Sequence, residues 1–178
     1  MIYIIGTSHD IQNHHIDVDD SKVTKYYNFL KQEIQGKSIF MVAEESSIES
    51  ASQLSTNPGE KTELEMVVAE LNKDAQTEIK HIHVDPDRTE SKSLGIVRRE
   101  NMLKILGLEQ TKRTHKQEWI VNSLMAPHDC CREQIWMEKI KPFTHNDILF
   151  VCGFMHVETF HHLLTENGYQ SLIQEIII

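Results

Sequence analysis

Five short strand-like stretches alternate with stretches in which apolar residues recur every three or four positions. Ile2-Tyr3-Ile4-Ile5, closed by Gly6, reads as a buried strand because its residues are β-branched or aromatic and none is charged. Asp19, Asp20 and Ser21 offer helix-capping oxygens. After them Val23, Tyr26, Tyr27, Leu30 and Ile34 fall at helical spacing, with Gly36 as the stop. Ile39 to Ala43 predicts a second strand that runs into Glu44-Glu45, and the Ser-rich stretch from Ser46 to Glu60, with Pro58-Gly59, predicts a loop. Thr62 and Glu65 form a capping-box pattern ahead of the stripe Leu64, Val67, Val68, Leu71.

The alternation continues to the end of the chain. His81 to Asp85, stopped by Pro86, predicts a third strand, and Leu94 to Leu106, ended by Gly107, a helix. Two further helices are expected over 112–125 and 128–140, separated by Pro127 and closed by Pro142. Ile148-Leu149-Phe150-Val151-Cys152 has the strongest pattern of a buried strand. Gly153 ends it, a helix follows over 157–166, and Asn167-Gly168 leads into a last strand, Ser171 to Ile178. Strands alternating with helices, two of them continuous apolar runs, predict an α/β fold. Its central sheet is expected to be mostly parallel and flanked by helices, with a helical insertion before the penultimate strand. Residues 1–178 are expected to form a single domain, and Trp119 and Trp136 to sit in its core.

Composition narrows the function. The 178 residues carry 18 basic and 27 acidic side chains, a formal charge of −9, which argues against nucleic acid as a partner because phosphate contacts need clustered Lys and Arg. The longest apolar run, Ile148 to Met155, is too short to span a bilayer, and the first residues lack the basic start of a signal peptide, so no membrane partner is expected. Three cysteines, two of them adjacent at 130 and 131, make no disulfide framework. They predict a reducing, cytoplasmic setting with one thiol of the adjacent pair buried and the other exposed.

Eleven histidines in so short a chain direct attention to a site built from a few of them. One spacing occurs twice. Gly6-Thr7-Ser8-His9 leaves the first strand and Gly153-Phe154-Met155-His156 leaves the strongest later one, while Glu44 and Glu45 occupy the equivalent place after the second. In open α/β sheets, ligands bind outside the carboxyl ends of the strands, so these groups are placed to converge. Two imidazoles and a carboxylate there suit either a divalent metal or a division of acid–base work.

The paired Gly-x-x-His motifs, the strand-terminal Glu, and Arg132-Glu133 followed by Trp136 and Met137 resemble the TraB/TIKI superfamily, which also takes in erythromycin-esterase-like and ChaN-like proteins. The resemblance runs in order along almost the whole chain and rests on about six positions. It implies hydrolysis of a peptide or ester bond, with His9, Glu44 or Glu45, Arg132 and His156 as the site. With a metal, His9, Glu44 and His156 would be ligands to Mn, Zn or Co, and no organic cofactor is expected. Without one, His9 would take a proton from water while Glu44 orients its ring. Arg132 stays charged, so it would hold a substrate carboxylate or a developing oxyanion, its plainer role being an ion pair with a nearby Glu. A small-molecule or peptide substrate is the expected partner, with a homodimer left open. The alternative is a non-enzymatic regulatory or partner-binding protein of the same fold.

His81, His83 and Asp85 alternate and so share one strand face. That spacing permits a metal site but more often marks a half-solvated face, with Asp85 placed nearest the crevice.

Overall fold

The computed structural model describes residues 1–8, 11, 19–47, 49, 61–74, 78–109 and 112–177. Its centre is a five-stranded sheet, all parallel, in the order β3-β2-β4-β1-β5. The strands are β1 (Ile2–Thr7), β2 (Met41–Glu44), β3 (Lys80–His83), β4 (Ile148–Gly153) and β5 (Ser171–Ile177). Between them run α1 (Asp20–Gly36), α2 (Glu63–Asp74), α3 (Arg88–Ser93), α4 (Arg99–Ile105), α5 (His115–Ile140) and α6 (Val157–Glu166). The α/β architecture and the helical insertion before the penultimate strand are as the sequence predicts.

The continuous apolar strands follow from burial on both faces. Ile148, Phe150 and Cys152 of β4 join Ile2, Ile4, Met41 and Ala43 against Trp136, Met137 and Ile140 of α5 and Phe160 and Leu164 of α6. The alternate residues, Leu149 and Val151 with Val42 and Ile5, pack on Tyr26, Leu30 and Ile34 of α1 and Leu64, Val67 and Val68 of α2. Trp136 anchors the first layer, its ring 5.7 Å from Phe150 and 5.6 Å from Phe160. Among the described residues no helix is long and apolar enough to cross a membrane.

The departures have physical causes. Asp87, not Leu94, begins the helical stretch after β3: its carboxylate accepts from the Glu90 amide, and α3 ends where Gly95 takes a left-handed φ of 67°. A separate helix, α4, then starts at Arg99. The left-handed residue after α1 is Ser38, with Gly36 still helical. Both Cys130 and Cys131 are exposed, and Cys152 is the buried thiol.

Pro127 does not divide two helices but lies inside α5. A proline removes one amide and frees the carbonyl four residues earlier. Here both Pro127 and Ser123 are exposed, so water can satisfy that carbonyl. Upstream of this point α5 leaves the sheet and packs on α4 and its flanks, Val121 and Met125 meeting Met102 with Val97, Leu106 and Leu108 against them. Trp119, on that overhanging half, is therefore 69% exposed rather than in the core. Pro127→Ala is expected to raise the unfolding free energy by about 2 kcal/mol, since alanine restores a helical hydrogen bond at an unburied position, with part of the gain offset by a freer unfolded chain. Urea denaturation measures the difference.

Candidate functional site

The period of two in β2 decides how the site is arranged. Val42 faces α1 and α2, and Glu44 shares its side; Met41 and Ala43 face α5 and α6, and Glu45 turns that way. The two adjacent glutamates thus enter two different clusters.

Glu45 enters a buried charge network. Because β2 lies beside β4, its backbone amide reaches the Val151 carbonyl, and its Oε2 accepts from the Gly153 amide at 2.6 Å. Arg132 of α5 donates to Glu45 Oε1 at 2.6 Å, to Asp85 Oδ1 at 2.8 Å and to Asp129 Oδ1 at 3.2 Å. Asp85 also accepts from the Trp136 indole at 3.1 Å. His156, in the short 3₁₀ turn after β4, places Nε2 3.5 Å from Glu45 Oε1 and Nδ1 2.9 Å from Glu133 Oε1. Thr159 donates to the same Glu133 oxygen at 2.6 Å.

The electrostatics follow from this crowding. Burial opposes charge on the Arg132 guanidinium, but Glu45 and Asp85 outweigh it and hold the proton more firmly than usual. Burial likewise opposes a proton on His156, yet Glu45 and the bond to Glu133 overcome it, and its pKa rises above the ordinary 6.5. The guanidinium is committed to three carboxylates, as a structural ion pair would be, rather than held out toward a ligand.

Glu44 enters the second cluster. The register of β3 on β2 pairs Val42 with His81 and Glu44 with His83, so both imidazoles stand on the Glu44 side of the sheet. Glu44 Oε2 lies 3.1 Å from His81 Nε2 and accepts from the Thr62 hydroxyl at 2.9 Å. His83 Nδ1 is 2.6 Å from Ser46 Oγ, and its Nε2 is 3.5 Å from Glu65 Oε1. The bond from His83, and then the Thr62 amide, pull the Glu65 carboxyl down to about 2. The capping box expected at Thr62 and Glu65 is present, so the start of α2 supplies one neighbour to Glu44 and one to His83. One ligand atom each from Glu44, His81 and His83 lies within 4.8 Å of the others.

Of the sequence-predicted residues, Glu45, Arg132 and His156 are brought together, Glu44 is set apart with His81 and His83, and His9 lies outside the described residues. Among the described residues, the metal-capable group of three pairs Glu44 with the β3 histidines, not with His156. Asp85 does not share the face of His81 and His83: β3 ends at His83, the Asp85 amide bonds to the Ser46 carbonyl, and its carboxylate turns to Arg132 and Trp136. Sequence reading missed Glu133 as a partner of His156, although it adjoins Arg132 in the motif. It also missed Thr62 and Glu65 as neighbours of a site, because they read there only as a helix cap.

No family model matches the chain, and no curated protein matches it, so the likeness to the TraB/TIKI superfamily remains a resemblance. Among solved structures the chain is similar to ChaN of Campylobacter jejuni, described as binding heme cofacially, with 13% sequence identity, a TM-score of 0.47, and coverage of 98% of this chain and 80% of that one.

Proposed function

We propose that this chain is a divalent-metal-dependent hydrolase whose ion is held by Glu44, His81 and His83 at the carboxyl ends of β2 and β3. The observation that carries the reading is the clustering of one carboxylate and two imidazoles within 4.8 Å, on adjacent strands and toward their carboxyl ends, outside which open α/β folds bind ligands. This donor set suits Zn, Mn or Co, and three protein ligands leave coordination positions open. The Thr62 hydroxyl on Glu44 and Ser46 on His83 fix the orientation of two of the three ligands. A bound ion would supply Lewis acidity and acidify water near neutral pH.

In this reading the other residues divide the work. Glu45, Arg132, Glu133 and His156 form the buried charged base on which the carboxyl edge rests, and His9, at the exit of β1, is the candidate proton acceptor. The substrate is a small molecule or peptide.

Titration of EDTA-stripped protein with Zn²⁺ or Mn²⁺ tests it. The wild type is expected to take up one ion per chain, and His81→Ala and His83→Ala to bind roughly 100-fold more weakly or worse. At a free ion concentration of about 100 times Kd, the wild type should gain about 2.7 kcal/mol of stability that the variants do not. No uptake by the wild type rejects the metal centre. Uptake without turnover on a panel of esters and peptides favours a metal-bearing partner-binding protein instead.

A further inference from the structure

β3 is an edge strand, and its outer side is set up in an ordered way. The amides of Lys80 and Val84 donate to the Phe40 and Glu44 carbonyls, so the even-numbered residues turn their main chain toward β2. The odd-numbered residues then turn theirs outward. At Ile79 both outward groups are taken by one side chain: the amide donates to Asn72 Oδ1 at 2.8 Å, and Asn72 Nδ2 donates to the carbonyl at 2.9 Å. A single carboxamide thereby stands in for one rung of a neighbouring strand. At the next two outward positions, His81 and His83, no described residue bonds to the main chain.

An open cleft of about 480 Å³ lies between α2 and the first part of this edge, from Glu78 to Ile82. Val68, Ala69 and Ile82 give it apolar surface, while Lys61, Glu65 and Glu78 give it mixed charge. An exposed row of strand donors and acceptors is a template for another chain.

We propose that the outer edge of β3 docks an extended peptide segment, which adds to the sheet through the main chain of His81 and His83. Several features fit a peptide. The outward groups are alternating backbone donors and acceptors, which an extended chain of any sequence satisfies, and the open cleft beside them carries no single charge to select one side-chain type. Asn72 closes the edge at one end, so it fixes where the added strand must stop. Docking does not require an ion. Its consequence, that the peptide backbone lies beside Glu44, His81 and His83, rests on the metal reading above.

The test uses a fluorescein-labelled, end-blocked heptapeptide of alternating threonine and valine, and two versions N-methylated at every second amide in opposite registers. Binding to EDTA-treated protein is read by fluorescence anisotropy. The parent is expected to bind, with one N-methylated register about tenfold weaker or worse and the other unchanged, because only alternate amides face the edge. Amide exchange at His81 and His83 should slow by a similar factor when the parent is bound. Absence of binding, or equal binding of all three peptides, overturns the proposal. Zinc uptake without peptide binding would leave the metal centre standing and remove the docking edge, whereas register-dependent binding without zinc uptake would do the reverse.

Discussion

Arg132→Ala is expected to lower the unfolding free energy by about 3–5 kcal/mol, which is what removing one partner of a buried ion pair costs. The side chain is 17% exposed and Glu45 beneath it 1%, so the carboxylates left behind cannot be rehydrated in place. Part of the loss is packing, since the guanidinium lies 5.2 Å from the Trp136 ring centre. Two controls separate the terms. Arg132→Lys keeps the charge but offers a point donor in place of a planar fork, so it should recover only part of the loss across three carboxylates. Arg132→Met combined with Glu45→Gln and Asp85→Asn removes the stranded charge and should be more stable than Arg132→Ala alone. Urea unfolding of the four proteins measures this. An Arg132→Ala variant within about 1 kcal/mol of wild type would mean that the network is not a structural pin, and would return the guanidinium to the role of a substrate contact.

The strands were readable because burial on both faces leaves a local mark: Ile148 to Cys152 contains no charge, and neither does Ile2 to Ile5. The start of α2 was equally readable, since a capping box is a contact between residues three apart. Pro127 was misread because the penalty for a proline within a helix depends on whether the freed carbonyl meets water, and no local pattern records that exposure. Trp119 went astray for a related reason: helical spacing says that a residue has a face, not that another element covers it.

The site was legible in type and less so in assembly. The strand-terminal acids Glu44 and Glu45, with His156, fall in the two clusters described above. Choosing between Glu44 and Glu45 posed a false alternative, because side-chain alternation sends one to each face and both are engaged. The union of Glu44 with His81 and His83 depends on β2 lying beside β3, a long-range fact that spacing along the chain does not encode. Glu133 became visible as a partner of His156 only once α5 was laid across the end of β4.

His156→Ala should also be costly, about 3–5 kcal/mol near pH 6, because it leaves Glu133 buried without its cation and Glu45 with Arg132 alone. The pH dependence distinguishes this from a simple cavity. His156 holds its proton more tightly in the folded protein than the ordinary value of 6.5, so folding takes up a proton around neutral pH. That stabilisation is complete below about pH 6.5 and is lost as pH rises through the folded-state pKa. The difference in stability between wild type and His156→Gln should therefore shrink steadily from pH 6 to 9, because the variant has no proton to release at this position. Glu133→Gln, which removes the carboxylate on Nδ1 while keeping a hydrogen-bonding side chain, should move the same loss to lower pH. Urea midpoints across that range, with the imidazole titration followed by NMR, measure both effects. A pH-independent difference would assign His156 a packing role alone and detach it from the charge network.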